Sequence, residues 1–182
     1  MPKLHKKALA LILAITLVAG FGVMAFAQSS FDEQHWFRTG DYDICYRVVP
    51  AQGKQVGRIF MIHGLLMSSL YYRELMQYFS EAGYLCVAMD LPGFGESTRE
   101  GRGVEPIDRE AIAAALMEEL APGEAWIVVG HSMGGGIAVN LALWYPDQVS
   151  ALLLYAPGNI AGLGEGWLPD FAAETLDRKS VV

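Results

Sequence analysis

Gly130-His131-Ser132-Met133-Gly134 is the stretch of this chain that leaves the fewest folds open. Before it runs Ala125-Trp126-Ile127-Val128-Val129, an apolar, partly β-branched run that reads as a buried strand. After it, Gly135 to Tyr145 is small and aliphatic enough for a helix, which Pro146 stops. A strand that turns at once into a helix holds a serine hydroxyl above the sheet on strained backbone. Glycine is needed at 130 and 134 because a side chain there would crowd the neighbouring strand or helix. The free N–H groups of the helix start lie where an oxyanion would form. The bare pattern is common in Gly-rich sequence; the strand before it and the helix after it make Ser132 a candidate nucleophile. His131 reads as a packed neighbour, since a base must reach the Ser132 hydroxyl from the opposite side.

Two upstream stretches point to the same place. Arg58-Ile59-Phe60-Met61-Ile62 is a second apolar strand and ends in His63-Gly64-Leu65-Leu66. Loops at the carboxyl ends of parallel strands are where open α/β sheets hold ligands. The Leu65 N–H is the candidate second oxyanion donor, beside that of Met133. His63 is expected to hydrogen-bond loop backbone, with Gly64 beside it. A third strand, Tyr84 to Met89, leads into Asp90-Leu91-Pro92-Gly93-Phe94-Gly95-Glu96-Ser97, a tight Pro/Gly loop. Asp90, at a strand end before a turn, suits a structural carboxylate better than a catalytic one.

In this order, the His-Gly, Asp-Leu-Pro-Gly-Phe-Gly-Glu-Ser and Gly-His-Ser-Met-Gly-Gly motifs resemble the α/β-hydrolase superfamily. The group of esterases, monoacylglycerol lipases and serine aminopeptidases is similar. The resemblance runs from about Tyr42 to about Pro157. It implies a doubly wound, mostly parallel sheet and an acyl-enzyme formed on Ser132, with the Leu65 and Met133 amides holding the oxyanion. A serine at the elbow, where relatives that open epoxides or remove halides carry aspartate, argues against those two chemistries.

The family's triad runs Ser, then Asp or Glu, then His, and this chain departs from it. Its four histidines are His5, His35, His63 and His131, so none follows Ser132. Of the later acids, Asp147 lies in a helix-to-strand turn expected on the far side of the sheet. Glu165, Asp170, Glu174 and Asp177 fall in a Gly-rich loop and its continuation. No triad acid or histidine is assigned, and the family's last two strands have no counterpart after the strand at about 149–155. Residues 28–176 therefore read as the N-terminal part of such a domain. Residues 177–182 read as a non-native tail, because one back-translation of them resembles a sequencing-library adapter; an ordinary polar terminus is the alternative.

Lys3, Lys6 and Lys7 precede an apolar run from Ala8 to Ala19, and Ala25-Phe26-Ala27 supplies a small-x-small cleavage site. Residues 1–27 thus read as a secretory signal, the alternative being an uncleaved anchor over residues 8–27. The remaining residues make up one domain's worth of chain. The expected location is the periplasm or the exterior. The net charge is −7, and removing the three leader lysines makes it more negative, which disfavours nucleic acid or an anionic membrane as partner. Membrane contact is expected only if the leader stays. Cys45 and Cys86 fall on strands that the resemblance puts side by side; they either pair, as an oxidising compartment permits, or stay separate buried thiols. No metal-ligand spacing, Walker loop or dinucleotide fingerprint appears, so no cofactor and no metal are expected.

The rest is scaffold: a leading antiparallel strand over 40–49, helices over 69–82 and 108–120, and a polar loop over 99–106. The reading is an exported serine hydrolase acting on esters with small to medium acyl groups. Amide or peptide hydrolysis, or acyl transfer on the same serine, is the runner-up. A non-catalytic binding domain that keeps the elbow for folding alone is the reading of another class. The polypeptide as given, lacking a placed base, is expected to be inactive.

Overall fold

The computed structural model describes residues 31–98 and 107–158. The leader, the polar loop over 99–106, the late acids and the tail lie outside the described residues.

Six strands form one sheet in the order β1-β2-β4-β3-β5-β6. β1 (His35–Thr39) and β2 (Tyr42–Val49) make an antiparallel hairpin in which Thr39 faces Tyr42. β2 then pairs antiparallel with β4 (Tyr84–Met89). β4, β3 (Gly57–Ile62), β5 (Trp126–His131) and β6 (Val149–Tyr155) run parallel. The expected strands are present. β1 is an addition, and the Gly40-Asp41 turn after Trp36-Phe37-Arg38-Thr39 was its signal.

The parallel strands are apolar along both faces because helices cover both. In β3, Phe60 and Ile62 turn to one side and Ile59 and Met61 to the other, and all four are buried. α1 (Arg73–Glu81) follows a short 3-10 turn, Ser69–Tyr72, and buries Met76 against Ile59, Met61, Cys86 and Ala88. α2 (Arg109–Leu120) and α3 (Met133–Trp144) cover the opposite face. The Asp108 carboxylate caps α2 by accepting from the Ala111 N–H at 2.8 Å. α3 is apolar nearly all round because it is wedged between the sheet and α2, burying Ile137, Ala138, Leu141 and Ala142. The Trp126 ring, fully buried, meets Phe60 edge-on and donates its N–H to the Met117 carbonyl at 3.3 Å.

From β3 the chain winds outward one way to β4, and through β5 the other way to β6. That reversal puts the switch point between β3 and β5, where Ile62 lies beside Gly130. In open α/β sheets the crevice beyond such a point is where ligands sit.

The register also decides the cysteine question. β2 and β4 are neighbours as expected, but Val49, not Cys45, faces Cys86. Cys45 stands four residues further along β2, on the order of 13 Å away, well beyond what a disulfide spans. Both are free, buried thiols. Burial pushes Cys86 up to about 12 and, with the Asp90 carboxylate adding to it, Cys45 up to about 11.

Candidate active site around Ser132

Ser132 joins β5 to α3 with φ 50° and ψ −119°, a conformation rarely open to a residue with a side chain. The surroundings leave the turn little freedom. A Cβ on Gly130 would lie 2.6 Å from the Gly134 carbonyl oxygen, and one on Gly134 would lie 2.2 Å from that of Ile62. α3 therefore sits directly on the ends of β3 and β5, which only glycine allows. The Ser132 carbonyl accepts from the Gly135 N–H at 2.9 Å and from Gly158 N–H at 2.6 Å, and its own N–H donates to the Tyr155 carbonyl at 3.4 Å. Both neighbours of the turn thus hold its backbone, and no hydrogen bond engages the hydroxyl among the described residues.

Across the switch point lies the His63-Gly64-Leu65 loop. A Cβ on Gly64 would stand 2.9 Å from His131 Nδ1 and 3.1 Å from Ser132 Cβ, so the loop packs against the serine. Leu65 is exposed and its N–H has no acceptor among the described residues. Met133 is the first residue of α3, so its N–H has no acceptor within the helix. Leu65, Ser132 and Met133 line one cavity of about 380 Å³ together with Glu110, Gly136, Ile137, Asn140 and Gly158.

His63 is fully buried, and both of its nitrogens are engaged. Nε2 accepts from the Leu91 N–H at 3.0 Å, which puts the proton on Nδ1, and Nδ1–H donates to the Gly64 carbonyl at 2.7 Å. Burial holds this imidazole below its ordinary value, outweighing the Gly64 carbonyl and Asp90, which favour the charged form. It forms a strut between two loops. Asp90 is likewise a tie. Its carboxylate accepts from the Ser69 N–H at 2.6 Å and the Glu96 N–H at 2.9 Å, with Arg47 at 3.9 Å. Gly95, at φ 54°, is glycine because a Cβ would lie 2.1 Å from that carboxylate. Asp147 sits in a short turn leading into β6, at the opposite end of that strand from Ser132.

The His131 ring stacks on Tyr155, at 4.4 Å, and on Tyr71, at 5.4 Å, and the two tyrosine rings stack on each other at 6.4 Å, so the three form a triangular cluster. The Tyr155 hydroxyl donates to that of Tyr71, tying the cluster together. His131 Nδ1 is buried, has no hydrogen-bond partner among the described residues and faces Gly64. His131 therefore joins the loop after β3 to the turn after β5, and the structure brings neither it nor His63 into a hydrogen bond with Ser132. Tyr71, Tyr155, Glu110 and Asn140 were not foreseen. Tyr71 and Tyr155 carry no local motif, and Glu110 and Asn140, 30 residues apart, come from two helices whose meeting only the tertiary packing decides.

Comparison with known proteins places this arrangement. A family model described as alpha/beta hydrolase fold matches residues 57–179. The 2-hydroxy-6-oxo-6-phenylhexa-2,4-dienoate hydrolase of Comamonas testosteroni is 36% identical over 96 residues, which is 50% of this chain and 32% of that protein. A lipase of Mycobacterium tuberculosis is 35% identical over 100 residues, 55% of this chain and 37% of the lipase. Among solved structures, a probable hydrolytic enzyme from Pseudomonas aeruginosa superposes with a TM-score of 0.65 at 28% identity, over 75% of this chain and 45% of that one. The chain spans less than half the length of each of these relatives.

Proposed function

This chain belongs to the alpha/beta hydrolase family, and from that premise we propose that it supplies the nucleophile and oxyanion site of a serine hydrolase that cleaves carboxylic esters. One observation carries the reading. Ser132 stands on a strained turn in the switch-point crevice, its hydroxyl uncommitted among the described residues, in a cavity it shares with Leu65 and Met133. Ser132 Oγ attacks the carbonyl carbon and loses its proton to a base. The Leu65 and Met133 N–H groups hold the oxygen as it gains charge. Collapse expels the alcohol and leaves an acyl-serine, which water then hydrolyses. The cavity's volume fits small to medium acyl groups, and a lipase among the relatives supports an ester substrate.

The base is not assigned, because both nitrogens of His63 are committed and His131, packed in a cluster with Tyr71 and Tyr155, makes no hydrogen bond to Ser132 among the described residues. The residues of 1–27 fit delivery outside the cytoplasm, where the enzyme would meet small ester substrates. The test is turnover of p-nitrophenyl butyrate by the intact gene product. Ser132→Ala is expected to reduce kcat by on the order of 10⁴ or more. Turnover that survives the substitution would contradict the assignment.

A further inference from the structure

We infer that Glu110 and Asn140 select the acyl group, favouring substrates that carry a positive charge and rejecting those that carry a carboxylate. This rests on the reading of Ser132 as nucleophile and adds a substrate class to it. Most of the cavity wall beside Ser132 is apolar or small: Leu65, Met133, Gly136, Ile137. Glu110, in the first turn of α2, and Asn140, on α3, supply its charged and amide groups. Asn140 Nδ2 donates to Glu110 Oε1 at 2.8 Å, which fixes the carboxylate against the wall.

That bond occupies one of the two carboxylate oxygens. No Lys or Arg among the described residues forms an ion pair with Glu110, and Oε2 has no partner there. Glu110 lines the same cavity as Ser132, Leu65 and Met133, so an acyl group carried on Ser132 would share that cavity with the carboxylate. A carboxylate held in a half-enclosed cavity attracts a cation there and repels an anion more strongly than it would in bulk water. Asn140 holds one carboxylate oxygen in place and, as a neutral amide, does not neutralise the charge.

The test compares three p-nitrophenyl esters on the intact gene product: 4-(trimethylammonio)butyrate, its neutral isostere 5,5-dimethylhexanoate, and the glutarate monoester. The readout is the ratio of kcat/KM values. The parent is expected to prefer the cationic over the anionic ester by about a hundredfold, with the neutral one between. Glu110→Gln keeps the bond to Asn140 and removes the charge, and should shrink that ratio at least tenfold. Glu110→Lys should invert it. A ratio that stays within threefold of the parent's in whichever variant folds would overturn the inference. Turnover that persists in Ser132→Ala would instead refute the nucleophile assignment, so the two failures are distinguishable.

Discussion

Ser132 adopts φ 50°, a conformation that costs on the order of 1–3 kcal/mol for a residue with a side chain. The cost is borne by hydrogen bonds to its carbonyl from Gly135 and Gly158 and by the packing of Gly64 against its Cβ. His63 works at the same scale. It links the Gly64 carbonyl to the Leu91 amide and so ties the loop after β3 to the loop after β4. Because burial depresses its folded value, the unfolded chain binds the proton first as pH falls. The His63 contribution is therefore complete above about pH 6.5, the ordinary histidine value, and is lost as pH falls toward and through the depressed one. Urea unfolding between pH 7 and 5 should show stability falling with acidification, and His63→Gln should flatten that slope while lowering stability at pH 7. An unchanged slope would mean that His63 is not the group being titrated.

At the level of elements, the close seating of α3 on β3 is the decisive contact. A Cβ on Gly134 would lie 2.2 Å from the Ile62 carbonyl oxygen and 2.6 Å from that of His63, both backbone atoms that cannot swing aside. Gly134→Ala is expected to cost at least about 2 kcal/mol, read as a lowered melting temperature or loss of soluble protein. A variant as stable as its parent would show that α3 can slide away from the sheet freely. Much of this level was legible in the sequence. The apolar runs over 58–62, 84–89 and 149–155 became β3, β4 and β6 because strands buried on two faces must be apolar throughout. β1 was not read, since its Trp36 and Arg38 are exposed and its short alternation is weaker than a buried run. The helix after Ser132 begins at Met133 rather than Gly135, because the chain turns within a single residue.

For the whole molecule, the order of the strands explains why motifs 70 residues apart meet. The winding reverses between β3 and β5, so His63-Gly64-Leu65 and Ser132-Met133 end side by side. The meeting of Ser132, Leu65 and Met133 in one cavity was legible because each sits in a local motif whose flanks declare a strand end. Glu110, Asn140, Tyr71 and Tyr155 were not, because their roles depend on how helices and strands pack and leave no periodic or spacing signal. The separation of Cys45 from Cys86 was hidden for the same reason: adjacency of strands is a topological inference, whereas register is set by packing. If Ser132 is the nucleophile, a fluorophosphonate probe will bond covalently to it, and mass spectrometry of the modified peptide reads the site. The intact gene product is predicted to take up one probe on Ser132 and the Ser132→Ala variant none. A polypeptide of these 182 residues, in which neither His63 nor His131 hydrogen-bonds Ser132 among the described residues, should label weakly or not at all. Labelling of the intact protein at another residue, or undiminished labelling of Ser132→Ala, would contradict the account.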